Sequence, residues 1–439
     1  MRKTSHTLKL LIAMGSLLAA TGCSDDASVA NKDQSIAQIA AGDPQFSILT
    51  AALTKAGLVE TLAGNGPFTV FAPDNQAFAA AGITSLDSFS VDQLKQILLY
   101  HVVPARVMAK DVQAGTVLSA ADLTLFVGTQ SGVSLNGGSG VTGGAAVVTT
   151  DIEARNGVIH IIDRVLLPPD IVGCATYGNL TGLSGAVAAA AQLSDGTPVL
   201  DALKGPGPYT VFAPTNEAFA ALNATPSAEQ LRDVLLYHVV AGATASSAIP
   251  ALAPSLLTNR WDNPLSLLFD TQAGVKVNAA NVKIADIKCT NGIVHAIDKV
   301  LLPPNVVEMA RIANLSGLLN AVSQAADLNG TAIADALSAD EPYTIFAPTT
   351  AAFEAISAPS DTAVLRDVLL LHVVKAAAPV TSSNLPAAPV DTLLAQKQLT
   401  FDTTGPTVSS PGTNGAKIGP ADIHVTNGVI HLIDKVLLP

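Results

Sequence analysis

The first periodic segment of the chain has apolar residues at helical spacing, and a segment in which apolar and polar residues alternate follows it. Phe46, Leu49 and Leu53 fall on one face of a helix, which predicts a helix over Phe46–Ala56. Phe68–Phe71 has the composition and alternation of a β-strand. The pattern therefore predicts that a helix precedes the first strand.

A helix start follows that strand. Ala72-Pro73-Asp74 leads into an apolar segment, and Asp74 is the predicted N-cap because its carboxylate can accept from the first free backbone N–H groups. The same segment recurs as FAPTNEAF from Phe212 and as FAPTTAAF from Phe346, with Thr215 and Thr349 at the cap position. An oxygen-bearing side chain returns at each start, which indicates a structural role.

A further helix is predicted over Val91–Tyr100, where Leu94, Ile97 and Leu98 share one face with His101. It returns as LRDVLLYHVV from Leu231 and LRDVLLLHVV from Leu365. Each copy is followed by a strand-rich half with many turn residues. Helices early and strands late in each copy predict an α+β fold rather than βαβ units.

Each copy ends in nearly the same thirteen residues. They read NGVIHIIDRVLLP from Asn156, NGIVHAIDKVLLP from Asn291 and NGVIHLIDKVLLP from Asn427. Their histidines, His160, His295 and His431, lie 135 and 136 residues apart, which is the size of one compact domain. We interpret the segment as a turn in which Asn-Gly supplies a positive φ, then a buried closing strand, then a proline stop.

The three motifs, FAP…AF, YHVV and NG-x-x-H-x-I-D-x-VLLP, occur in that order three times and together resemble the fasciclin domain family. The resemblance covers residues 35–169, 172–304 and 307–439, which we call the first, second and third modules. It implies three tandem fasciclin-like domains, each a wedge-shaped β-sandwich with helices packed on one side. It also implies cell-surface or matrix adhesion rather than catalysis.

The family's Tyr-His adhesion motif is matched by two pairs of residues in this chain. They are Tyr100-His101 and Tyr237-His238, whereas the third module carries Leu371 before its histidine, His372. An aromatic residue that ends an apolar helix face is also typical of a protein core. Both interpretations, ligand contact and core packing, follow from the sequence.

The first residues have the features of an export signal. Arg2, Lys3 and Lys9 precede a short apolar run, and Thr21-Gly22-Cys23 resembles the bacterial lipobox. We therefore expect residues 1–22 to be a lipoprotein signal peptide, Cys23 to carry the lipid and residues 23–34 to form a tether. The expected location is the cell envelope, in the outer membrane or at the cell surface. An ordinary secretory signal cut nearby is the alternative.

Composition narrows the classes of function. The formal charge is −12, and the 13% of charged residues are scattered without a basic patch, so nucleic acid is excluded as an expected partner. The prolines that follow each closing segment stiffen the junctions between modules. We therefore expect a semi-rigid array.

The paired histidines of each module suggest a metal site or a structural role. Neutral imidazoles in apolar helices and strands usually bond to nearby backbone groups, and no tight Cys/His/Asp spacing accompanies these. We therefore predict that His160, His295, His372 and His431 are structural.

Two further motifs do not predict a catalytic or nucleotide site. In the His-x-x-Asp pattern the two side chains point to opposite faces of a strand, so they cannot share one site. Gly138 to Gly143 spell a dinucleotide fingerprint but lead into a strand rather than a helix. No catalytic residue, metal or cofactor is predicted.

Two cysteines remain beyond Cys23, and both lie in the second module. Cys174 corresponds to Met309, and Cys289 to Ala154 and Val425, in the other modules. Their joint appearance in an exported protein predicts a disulfide between the two ends of that module, with two buried free thiols as the alternative.

The expected function is adhesion to an envelope or matrix protein or to a polysaccharide, through several weak sites on one array. The expected contact with the membrane is the lipid anchor alone. A structural envelope spacer without a ligand is the second hypothesis, and an enzyme is the third.

Overall fold

The computed structural model describes residues 32–191, 203–222, 226–325, 333, 337–356, 361–402 and 404–439. The predicted signal peptide and Cys23 lie outside these residues. The chain forms two compact units. One unit comprises the residues up to Val112 together with Val147–Arg164, and the other comprises Gln113–Ala146 and Val165–Pro439. None of the helices in the described part is long and apolar enough to cross a membrane.

The first module places its helices before most of its strands. Its α-helices span Ile36–Gly42, Ser47–Ala56, Val59–Ala63, Asn75–Ala80 and Val91–Tyr100, with 3-10 turns at Pro44–Phe46 and Ala109–Asp111. Its strands span Phe68–Pro73, Val102–Val103, Gly115–Leu118, Thr124–Gly128, Ser134–Leu135, Ala145–Ala154 and Gly157–Ile162. The helices predicted over Phe46–Ala56 and Val91–Tyr100 are confirmed, the former beginning one residue later.

The second module closes its strands into a barrel. Its α-helices include Ile171–Tyr177, Thr181–Ala190, Asn216–Ala220 and Ala228–Tyr237, with a 3-10 turn at Ser246–Ala248. The strands are Tyr209–Pro214, Val239–Ala241, Leu252–Thr258, Pro264–Asp270, Lys276–Val277, Ala280–Cys289 and Gly292–Ile297.

The third module has two four-stranded sheets in its described part. Its α-helices include Val306–Ile312, Ser316–Gln324, Thr350–Glu354 and Thr362–Leu371, with a 3-10 turn at Ser382–Asn384. One sheet contains Val373–Lys375, Tyr343–Pro348, Gly428–Ile433 and Ile423–Val425 in that order, and the other contains Val390–Asp391, Gln398–Asp402, Thr407–Ser410 and Thr413–Lys417.

Apolar burial divides each of these two modules into two cores. In the second module, one core joins the helices to the central strands and includes Leu183, Val211 and Val294. The other fills the strand-rich half around Phe212 and Leu267. The third module repeats this division. The predicted α+β fold class is confirmed.

The sequence motifs meet on one pair of strands. In every module the strand that ends in Phe-Ala-Pro runs parallel to the closing strand. Phe71 lies opposite His160 in this register, and their rings stack with centroids 5.6 Å apart. The stacked pairs Phe212–His295 and Phe346–His431 have distances of 5.4 and 5.3 Å. Two motifs that are about ninety residues apart thus form one buried contact.

The predicted N-caps are confirmed. The Asp74 side chain accepts from the backbone N–H of Ala77 at 2.7 Å. Thr215 and Thr349 accept from Ala218 and Ala352 in the same way. Either residue type provides the oxygen that the first turn of the helix requires.

The interpretation of Asn-Gly as a source of positive φ is wrong. Asn156, Asn291, Asn427, Gly157 and Gly428 do not have positive φ values, and Gly292, with φ at 159°, is close to extended backbone rather than to a tight-turn conformation. Glycine follows them because the neighbouring strand approaches closely: a Cβ on Gly157 would lie 2.0 Å from the Phe68 carbonyl oxygen. The reason for glycine is therefore the space between two parallel strands.

The asparagine before that glycine is a buried clamp. In the second module, Asn291 Oδ1 accepts from the Ile171 N–H at 2.9 Å. Its Nδ2 donates to the carbonyls of Leu203 and Gly205 at 2.7 and 2.9 Å. Asn156 and Asn427 make the equivalent three bonds. One side chain thereby fixes the closing hairpin to the first helix and to the segment before the central strand.

Candidate functional site

The residues that match the Tyr-His motif lie in the core. Tyr100 and Tyr237 are both 0% exposed, and His101 and His238 are 2% and 1% exposed. The Tyr237 hydroxyl donates to the Ser266 carbonyl at 2.8 Å and accepts from Asn278 Nδ2 at 2.6 Å. Burial raises the pKa of Tyr237 above its usual value. A partner reaches these side chains only if the module opens, so adhesion through them stays a prediction.

In the second and third modules, the histidine after the long helix joins that helix to the end of the module. His238 Nδ1 donates to the Val234 carbonyl at 2.6 Å, and its Nε2 accepts from the Leu301 N–H at 2.9 Å. Only a neutral ring offers one donor and one acceptor in this way. His372 makes the equivalent bonds to Val368 and Leu437. Burial lowers the pKa of His101, His238 and His372 to about 4.

The closing-strand histidines also bond to backbone groups. His295 Nδ1 accepts from the Asp286 N–H at 3.1 Å, and its Nε2 donates to the Thr244 carbonyl at 3.1 Å. His160 bonds in the same way to the Asp151 N–H and the Val107 carbonyl, and His431 bonds to the Asp422 N–H and the Val380 carbonyl. Burial lowers the pKa of His295 and His431. Each ring joins an aspartate backbone N–H to a loop carbonyl, and the carboxylate of the same aspartate accepts a second backbone N–H from that loop.

The histidine and aspartate of the His-x-x-Asp pattern do not bond to each other in the second module, and in the third module His431 Nδ1 lies 3.9 Å from a different carboxylate, that of Asp422. Asp298, of the His-x-x-Asp pattern, accepts from the Asn281 N–H at 2.7 Å, while His295 bonds elsewhere. In the described part of the chain, no group of three or more His, Cys, Asp or Glu side chains could hold a metal ion. Gly138 and Gly143 lie between the strands Ser134–Leu135 and Ala145–Ala154, so the dinucleotide fingerprint does not open a helix there.

The two cysteines of the second module form a disulfide in the structure. Cys174 lies in the helix Ile171–Tyr177, Cys289 ends the strand Ala280–Cys289, and their sulfur atoms are 2.15 Å apart. Both cysteines belong to the core between helices and sheet. The bond therefore connects the beginning of the module to its closing hairpin.

Replacing this disulfide is expected to destabilise the second module without disturbing its packing. The matched variant is Cys174→Met with Cys289→Val, since the third module carries Met309 and Val425 at these positions. For a sequence separation of 115 residues, the chain-entropy estimate is about 4–5 kcal/mol, and engineered cases often fall short of it. Denaturant unfolding and non-reducing peptide mapping check this. Recovery of both cysteines as free thiols from the purified protein contradicts it.

Contacts between modules were not foreseen from the sequence. The Lys288 N–H donates to Thr124 Oγ1 at 2.8 Å, and its ammonium lies 2.8 Å from Asp122. The His424 N–H donates to Ser266 Oγ at 3.0 Å in the equivalent place. Arg260 pairs with Asp340 at 3.0 Å. These residues differ from module to module, so a comparison of the copies gives no signal for them.

Comparisons with known proteins agree with the repeat. A sequence model described as the Fasciclin domain matches residues 44–168, 185–303 and 314–439. Protein sll1483 of Synechocystis sp. is 45% identical over 139 residues, which make up 30% of this chain and 73% of that protein. Transforming growth factor-beta-induced protein ig-h3 of Sus scrofa is 28% identical over 94% of this chain and 58% of its own length.

Two further similarities cover other lengths. Periostin of Homo sapiens is 28% identical over 72% of this chain and 38% of its own length. The chain thus spans little more than half of ig-h3 and less of periostin. A solved structure, the FAS1 domain pair from the insect cell adhesion molecule Fasciclin I, aligns at 19% identity with a TM-score of 0.38. That alignment covers 59% of this chain and 97% of the other.

Proposed function

The chain belongs to the fasciclin domain family, and on that premise we propose that it is a non-enzymatic adhesion or matrix-binding protein. Domains of this family are known from adhesion and matrix-binding proteins. The observation that carries the proposal is the occurrence of three such domains in one chain. Weak sites on linked domains bind together with an avidity that no single domain attains.

Hydrogen bonds at the two proline junctions support linked domains with stiff connections. The Thr290 N–H donates to the Pro169 carbonyl at 2.9 Å, and the Thr426 N–H donates to the Pro304 carbonyl at 3.0 Å. Each proline junction is thus bonded to the closing hairpin of the module that follows it. The partner is an envelope or matrix protein or a polysaccharide.

Avidity predicts how affinity depends on the number of modules. A single excised module is expected to bind the partner roughly 10²–10⁴-fold more weakly than the three-module protein. The partner is first recovered from envelope or matrix extract on a column of the full chain and identified by mass spectrometry. Affinities are then measured for proteins of one, two and three modules, each checked for cooperative unfolding. Equal affinity for one module and three contradicts the proposal.

A structural envelope spacer is the second candidate. The burial of Tyr100 and Tyr237, both 0% exposed, favours it because the residues matching the adhesion motif do not face a partner. Under this hypothesis the column retains no component from either extract. The same experiment therefore separates the two functions.

Lipid attachment at Cys23 is proposed as the anchor of this array to the outer membrane or cell surface. Cys23→Ala is expected to abolish labelling with radioactive palmitate and to move the protein from the membrane fraction to the soluble fraction. Cys174→Met with Cys289→Val serves as the control, because it removes the other two cysteines together and should leave labelling unchanged. If the unaltered protein takes up no label, Cys23 is not a lipidation site.

A further inference from the structure

A cleft of about 450 Å³ lies between the second and third modules. This volume is within the range of small-molecule sites, roughly 300–1,000 Å³. Most of its wall is apolar. The apolar side chains include Leu252, Leu268, Phe269, Ile312, Ile423 and Leu432.

The position that corresponds to this cleft, between residues 113–146 of the first module and the second module, is filled by aromatic rings. Leu268 corresponds to Phe126, because each donates its N–H to the side chain of an asparagine, Asn278 or Asn136, that begins the same turn. When the helices that open the second and third modules are aligned, Tyr177 of the second module corresponds to Ile312 of the third. Phe126 and Tyr177 pack edge to face with centroids 6.0 Å apart.

A longer loop completes that filling. Residues 136–144 connect two strands of the first module, and the Thr142 carbonyl in this loop accepts from the Tyr177 hydroxyl at 2.7 Å. In the second module only Asn278 and Ala279 connect the equivalent strands, and both line the cleft. The cleft therefore exists because two aromatic residues and a loop are replaced by smaller groups.

The cleft offers an anion one cationic group, the Lys276 ammonium. Lys276 lines the cleft, and the ion pairs found among the described residues do not include it. Asp270 also lines the cleft, on the neighbouring strand opposite Lys276; its side chain is exposed, and its carboxylate accepts from the Gln272 N–H at 2.9 Å. We propose that this cleft binds a small amphipathic carboxylate, with the apolar body against Leu268 and Ile312 and the carboxylate at Lys276.

Calorimetry with the full chain tests the polar half of the site. Octanoate and 4-phenylbutyrate are the probes, and 1-octanol is the uncharged comparison. We expect one octanoate per chain, and we expect Lys276→Gln to weaken its binding about tenfold while leaving 1-octanol unchanged. Lys95→Gln, which removes an exposed lysine of the first module, is the matched control. If neither carboxylate binds, or if Lys95→Gln has the same effect, the proposal is overturned.

Refilling the cleft tests the apolar half. Leu268→Phe with Ile312→Tyr restores the two aromatic residues of the first junction and is expected to abolish binding of both probes. Thermal unfolding shows whether this variant is folded. If it is not, Leu268→Phe alone is expected to reduce the affinity at least tenfold. Undiminished binding in a folded refilled variant overturns the proposal, because the probe must then lie elsewhere.

Discussion

Acidification from about pH 7 to pH 4 is expected to remove roughly 3 kcal/mol of folding free energy for each of His101, His238 and His372. Burial holds the pKa of these rings at about 4, against 6.5 for an exposed histidine. Between these values the unfolded chain binds protons that the folded chain excludes. The stabilisation is therefore complete above pH 6.5, falls as the pH decreases towards 4, and changes little below that.

The second module provides a direct measurement of this effect. Trp261 is the one tryptophan of the chain and belongs to that module, so its fluorescence reports on local unfolding. Urea titrations at about pH 7.5, 6.5, 5.5 and 4.5 give the dependence of stability on pH. Since His295 also has a lowered pKa, it adds to the decrease.

His238→Gln is the matched variant for the acid effect. Glutamine retains a donor and an acceptor but does not titrate in this range. The variant is expected to be less stable near pH 7. Its free energy of unfolding should decrease between pH 7 and 4 by about 3 kcal/mol less than that of the original protein. The same slope in the variant and the original protein contradicts a buried neutral His238.

Asn291→Ala is expected to destabilise the second module by roughly 3–6 kcal/mol, because three backbone groups lose their partner at once. These groups are the Ile171 N–H and the carbonyls of Leu203 and Gly205. Asn291 is only 7% exposed, so water does not replace the lost bonds without opening the hairpin. Denaturant unfolding followed by Trp261 fluorescence measures the change.

Asn216→Ala is the control for the clamp. Asn216 also bonds to backbone groups, namely the Gly182 N–H and the Asn179 carbonyl, but at a half-buried helix start. Water can replace these bonds, so a loss of about 1 kcal/mol or less is expected. A similar small loss for Asn291→Ala contradicts the role of the clamp.

Local signals in the sequence determined the repeated unit and its elements. The helix Val91–Tyr100 and the caps Asp74, Thr215 and Thr349 depend on spacing and side-chain oxygens within a few residues. Three ordered copies of the motifs were also enough to identify the family. These features can be predicted from the sequence because each residue interacts with partners only a few positions away.

Tertiary structure decided what the same residues do. The spacing of the copies did not reveal that Phe71 stacks on His160, nor that Asn156 clamps the first helix, because those partners are distant in sequence. The burial of Tyr100 is likewise a property of the packed core. The cleft at Leu268 and Ile312 depends on which side chains meet across two modules. Such contacts depend on the register of the strands and on the packing of modules, and no local sequence pattern encodes either.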